Sequence, residues 1–122
     1  MTLIVVLSGS GYKLPASKGV IFMKLLTKEL LKKLPPLYAT EHEDDPLVIC
    51  KFFYASFHWC WYAIEYDGRD ICFGFVDGDF PELGYFSLHE LQHTGDKLGL
   101  TVERDLYFKP CRLSVLRAKL GR

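Results

Sequence analysis

The chain has no paired cysteines, no net charge, no long apolar run and no internal repeat. Each absence excludes something. Cys50, Cys60, Cys72 and Cys111 are scattered, with no C-x-x-C spacing, which rules out the close ligand pairs of structural zinc sites. The expected state is reduced cysteines packed as small hydrophobes in a cytoplasmic protein. The apolar run Leu3–Leu7 is too short for a membrane span or a signal core, and no basic segment precedes it. No membrane partner is therefore expected. Zero net charge excludes an overall nucleic-acid footprint. The run Ser8-Gly9-Ser10-Gly11 follows apolar residues, but Tyr12-Lys13-Leu14 does not supply the G-K-[ST] ending of a phosphate loop.

What is present suits one folded domain. Of 122 residues, 49% are hydrophobic and 15% aromatic, enough for a core without staples. Charge is unevenly placed: residues 41–82 carry ten acids against two bases, a net of −8. Residues 1–40 sum to +5 and residues 83–122 to +3. Residues 1–22 differ in character from the rest. Reverse translation of Ser17–Phe22 allows a ribosome-binding sequence just ahead of the codon for Met23. Residues 1–22 are thus expected to be a non-native or disordered leader, with Met23 as the true start, and residues 23–122 a single α+β domain.

Turn and cap signals divide the domain. Thr27 should cap a helix that Pro35-Pro36 stops. Leu47–Tyr54, His58–Tyr66 and Ile71–Val76 read as strands, with a hairpin turn at Asp67-Gly68-Arg69-Asp70. Leu83–Phe86 suggests a short fourth strand. Ser87 should open a helix that Gly95 ends, Val102–Phe108 can return as a strand, and Ser114–Leu120 reads as a basic helix. The expected class is α+β: an antiparallel meander of about four strands with short helices on one face. Alternation along the second strand puts Trp59, Trp61, Ala63 and Glu65 on one side and Cys60, Tyr62, Ile64 and Tyr66 on the other.

His89-Glu90-Leu91-Gln92-His93 matches H-E-x-x-H, in which two histidines one helical turn apart grip zinc and the glutamate activates water. Three features weigh against catalysis here. No third ligand follows His93. Ser87-Leu88-His89-Glu90 already accounts for Glu90 as a capping box. Leu88 and Leu91 claim the inner face, which should leave His89 and His93 toward water. An adventitious zinc ion on His89 and His93 is the metal reading that remains, and no cofactor is expected.

Longer motifs carry a resemblance. They are Met23-Lys24-Leu25-Leu26-Thr27-Lys28-Glu29, Lys33-Leu34-Pro35, Val48–Phe53, Trp59–Ala63 with Glu65 and Asp67-Gly68, Phe73-Gly74, Val76-Asp77-Gly78, Pro81–Leu88 with Glu90-Leu91, Gly99-Leu100, and Glu103–Leu106. From Met23 to about Leu116 the chain resembles the bacterial family called domain of unknown function 2958. The resemblance implies an accessory protein carried on plasmids and integrative elements, and it implies no activity.

Two functional classes compete. One is a non-enzymatic binder or inhibitor of another macromolecule, a protein partner being favoured over nucleic acid. Its surface would combine aromatic area with acidic specificity at Trp59, Trp61, Tyr62, Glu65, Asp77, Glu82 and Tyr85. The other is a metal-dependent hydrolase or nuclease, using HELQH or a cluster of Glu65, Asp77, Asp79 and Glu82 around Mg²⁺. A basic tail of Lys109, Arg112, Arg117, Lys119 and Arg122 keeps nucleic acid in view.

Overall fold

A computed structural model gives the fold and describes residues 25–122. The expected leader, residues 1–22, lies outside the described residues. Helix α1 (Lys28–Lys33) starts where Thr27 accepts the Leu30 amide on its hydroxyl at 3.2 Å. The remaining elements are β1 (Leu47–Val48), β2 (Cys50–Tyr54), β3 (Cys60–Tyr66), β4 (Ile71–Asp77), β5 (Pro81–Ser87), α2 (Leu88–Leu98), β6 (Val102–Arg104), β7 (Cys111–Arg112) and α3 (Leu113–Leu120). The class is the expected α+β, built on a meander.

The main sheet is antiparallel and runs β5-β4-β3-β2-β6. Strands β2 to β5 follow one another through short turns. Gly68 takes φ 85° in the β3–β4 turn, a backbone conformation that glycine adopts without strain. The fifth strand comes from far along the chain: β6 adds beside β2, pairing Val102 with Tyr54 and Arg104 with Phe52. The expected single strand over Leu47–Tyr54 is split at Ile49, and β1 instead pairs with β7 in a separate two-stranded ribbon.

Period-two alternation gives the sheet two apolar faces. One holds Phe52, Tyr54, Trp61, Cys72, Val76 and Phe86 and is covered by Leu88 and Leu91 of α2. The other holds Tyr62, Ile64 and Phe75 and is covered by Leu113 and Leu116 of α3. Helices therefore pack on both faces, not on one. Two faces must be shielded because aromatic and aliphatic residues occupy both sides of β3 and β4, leaving no polar side for water.

Helix α2 is longer than its sequence suggests. Gly95 does not end it; the left-handed cap is Gly99, with φ 73°. Gly95 is instead buried at a close crossing. A Cβ there would lie 2.7 Å from the Leu100 carbonyl oxygen and 2.9 Å from the Tyr54 ring. Tyr54 in turn donates its hydroxyl to the Leu91 carbonyl, and its ring meets Trp61 edge-on at 5.3 Å. These contacts lock α2 onto β2 and β3.

A bulge in β3 departs from simple alternation. The β3–β4 register shifts between Ala63 and Glu65, so Glu65 stands opposite Phe73 and Tyr66 opposite Cys72. The extra residue reverses the expected sides beyond it. Tyr66 joins the Trp61 side, and Glu65 turns to the side of Phe73.

Candidate acidic-aromatic pocket

The bulge sets up a cross-strand row. Glu65 on β3 faces Phe73 on β4, and Phe73 faces Tyr85 on β5. The Phe73 and Tyr85 rings meet at 5.0 Å. The segment after α1 folds over this row. Tyr38 adopts φ 72°, an uncommon left-handed conformation for a residue with a side chain, and brings its ring 6.3 Å from that of Tyr85.

Glu65 holds that segment in place. Its side chain is buried, at 2% exposure. One carboxylate oxygen accepts the Tyr38 amide at 2.8 Å. The other accepts the Thr40 amide at 2.8 Å and the Thr40 hydroxyl. A buried carboxylate so thoroughly hydrogen-bonded is a structural anchor. The far end of the segment is tied down by Asp45, which accepts the Ser114 amide at 2.8 Å and the Ser114 hydroxyl at 2.6 Å. Those bonds serve the first turn of α3, where Arg112 offers no side-chain cap. They also hold the Asp45 carboxyl below its usual range, the Ser114 hydroxyl bond being the largest cause. Leu113 donates its amide to Pro46 at 2.9 Å, completing the join.

Between the anchored segment and the sheet lies a pocket of about 330 Å³. Phe73, Leu83, Tyr85, Tyr38, Pro46 and Leu113 supply its apolar surface. Glu41, Glu43 and Asp44 stand at its rim, and Glu65 lies below. No lysine or arginine lines it. Arg112 forms an exposed ion pair with Glu43 at 3.9 Å beside the rim, a contact of small energetic value. Burial, followed by the neighbouring Tyr38, pushes the Tyr85 hydroxyl above its ordinary pKa. The lining thus places the exposed carboxyl groups of Glu41, Glu43 and Asp44 and the buried Glu65 beside the rings of Tyr38, Phe73 and Tyr85.

The residues singled out from sequence are dispersed. Glu65 and Tyr85 meet in this pocket. Trp59, Trp61 and Tyr62 do not form a surface; they are 2%, 0% and 2% exposed. Their aromatic area serves the core, because both sides of β3 are covered by helices or neighbouring strands. Asp77 lies at the opposite end of β4 and accepts from Arg122 Nε at 3.0 Å. Glu82 is exposed on β5 and is not part of the pocket lining. Tyr38, Glu41, Glu43, Asp44 and Phe73 were missed. The acidic loop reads as turn decoration until Glu65 draws it over the sheet.

The metal residues are also apart in character. His93 is exposed as expected, but His89 is 1% exposed, contrary to the expectation that both face water. Helix α2 sits with its first turn against the β3–β4 turn: Asp70 accepts the Ser87 hydroxyl at 2.5 Å and the His89 amide at 2.8 Å. That docking takes His89 inside. Burial first, then the proximity of His93, lowers the His89 pKa and favours the neutral ring. Asp79 accepts from the Trp59 indole at 3.2 Å, far along the sheet from Glu65. Among the described residues, no group of three or more His, Cys, Asp or Glu side chains is placed to hold a metal ion. Among them, too, no helix is long and apolar enough to cross a membrane.

Fold and pocket together define a small antiparallel α+β domain with an acidic-aromatic recess held by the hydrogen bonds of Glu65 and Asp45. The chain belongs to the family described as protein of unknown function (DUF2958), which matches residues 25–119. No curated protein and no solved structure matches it.

Proposed function

We propose that this protein is a non-enzymatic accessory binder, of the kind carried by a mobile element, that engages a protein partner through a basic side chain. The supporting observation is the pocket between Tyr38 and Tyr85, with Glu41, Glu43 and Asp44 at its rim and no base in its lining. Its apolar walls fit the stem of an arginine or lysine, and its rim fits the charged head. Rim charges of this sort steer association and set specificity more than they add affinity.

The test is a nuclear magnetic resonance titration of the protein with Nα-acetyl-arginine amide, with the citrulline analogue as the uncharged control. Arginine should shift Tyr38, Phe73 and Tyr85 resonances, and citrulline should not. Glu43→Gln with Asp44→Asn should weaken the response, and so should raising salt toward molar levels, where screening acts within about 3 Å. Equal shifts with citrulline, or shifts scattered away from the pocket, would overturn the reading.

A further inference from the structure

Strand β5 ends the main sheet, and among the described residues nothing pairs with its outer side. The register identifies which backbone groups it leaves open. Leu88 donates its amide to the Asp70 carbonyl at 3.2 Å, one step beyond the Ile71–Ser87 pair. In an antiparallel ladder, hydrogen-bonded and non-hydrogen-bonded pairs alternate. Glu82, Gly84 and Phe86 therefore bond inward to β4, and Leu83 and Tyr85 direct their N–H and C=O groups off the sheet. These same two residues supply side chains to the pocket. Pro81, whose N–H would also point outward, has none to offer, and Ser87, which the same alternation turns outward, is already the N-cap of α2, so the open stretch is short and defined.

Resting on the reading above, we infer that the partner binds as an extended segment that adds a sixth strand to β5 and inserts an arginine or lysine into the pocket. A residue directly opposite Leu83 or Tyr85 on an added strand projects to the same face of the sheet. Its side chain thus enters the Tyr38–Tyr85 recess without any bend in the peptide. Backbone bonds to the open edge supply affinity, and the pocket selects the side chain. Charge excludes the obvious competitor, a second copy of this strand. β5 carries Glu82 and no base, and it lies beside Glu41, Glu43 and Asp44. Two such edges would repel each other, whereas a basic strand is attracted.

The experiment uses the full chain and the heptapeptide Thr-Val-Thr-Arg-Thr-Val-Thr, with binding followed by calorimetry and by amide hydrogen exchange. Three comparison peptides replace the arginine by norleucine or carry N-methyl groups on one or the other alternate set of residues. Strand addition predicts new protection at the Leu83 and Tyr85 amides. It also predicts that only one of the two methylated peptides loses binding, by about tenfold or more. The norleucine peptide should bind about tenfold more weakly, the loss expected for a desolvated cation–aromatic contact. If both methylated peptides bind like the parent, and Leu83 and Tyr85 stay unprotected, strand addition is wrong and the pocket reading stands. If norleucine binds as well as arginine while the amides become protected, the pocket reading is wrong and strand addition stands. Absence of binding by every peptide overturns both.

Discussion

Glu65 accepts the backbone amide of Tyr38 at 2.8 Å although the two are separated by 27 positions in the chain. The bond joins a bulged strand to a loop residue at φ 72°. A side-chain-bearing residue in that conformation is held at a cost of about 1–3 kcal/mol, which the charge-assisted bonds of the carboxylate can offset. The pocket wall therefore depends on one buried acid that a bulge has turned toward it.

Replacing Glu65 should open the pocket and weaken the fold. Glu65→Ala leaves the Tyr38 and Thr40 amides without their acceptor and should lower unfolding free energy by about 3 kcal/mol. Glu65→Gln keeps one acceptor oxygen but turns an amide donor on other donors, so its loss should be smaller, about 1–2 kcal/mol. Urea denaturation measures both. Equal stability of Glu65→Ala and the parent would show that the loop is held by something else.

Local signals in the sequence translated well into structure. Thr27 and Ser87 cap their helices through their own hydroxyls, and Gly68 turns its hairpin, because each acts on neighbours within a few residues. Features set by distant contacts were illegible. The bulge that moves Glu65 to the pocket side follows from sheet packing, and alternation alone assigns the wrong face beyond Ala63. Gly95 looks like a helix terminator, yet its missing side chain serves a crossing with Leu100 and Tyr54. Trp59, Trp61 and Tyr62 read as interface aromatics because the sequence does not show that both sheet faces are covered. The Glu41–Asp44 acids needed Glu65 and Asp45 to give them a place.

Two glycines that face each other on adjacent strands should respond oppositely to alanine. Gly74 and Gly84 are register partners. A Cβ on Gly74 would fall 1.8 Å from the Tyr62 carbonyl oxygen, a backbone atom that cannot swing aside. A Cβ on Gly84 would meet nothing within 4 Å. Gly74→Ala should cost at least about 3 kcal/mol or prevent folding. Gly84→Ala should stay within about 0.5 kcal/mol of the parent, tending to stabilise by reducing freedom in the unfolded chain. Thermal melts of the two purified variants decide the matter, and equal melting temperatures would refute the close approach at Gly74.

Zinc should bind poorly at the H-E-x-x-H sequence. His89 is enclosed at the start of α2 while His93 faces solvent, so the two imidazoles do not present one open face to an ion. Native mass spectrometry with equimolar Zn²⁺ should show loosely held ion, with the same occupancy in His93→Ala. Tight one-to-one zinc abolished by His93→Ala would require α2 to rotate or unravel and would restore the metal reading.

The docking of α2 should make stability depend on pH through Glu90. Its Oε2 is buried without a hydrogen-bond partner. Burial first, then the negative Asp70, raises the Glu90 pKa above that of an ordinary glutamate. For an acid the sign follows directly. A folded pKa above the unfolded one means the folded state binds more protons between the two values, so stability falls as pH rises through that window and stays lower above it. Glu90→Gln keeps the shape, carries no charge, and should be more stable than the parent at neutral pH. His89 has the opposite dependence: its lowered pKa means that stability falls as pH drops below the ordinary histidine range. The parent curve mixes the two effects, but the difference between parent and Glu90→Gln retains chiefly the glutamate contribution. Urea midpoints measured across the acid range should therefore converge at low pH and separate as pH rises, with the variant above. Parallel curves, or separation in the reverse direction, would place the Glu90 carboxylate in a site that favours its charge.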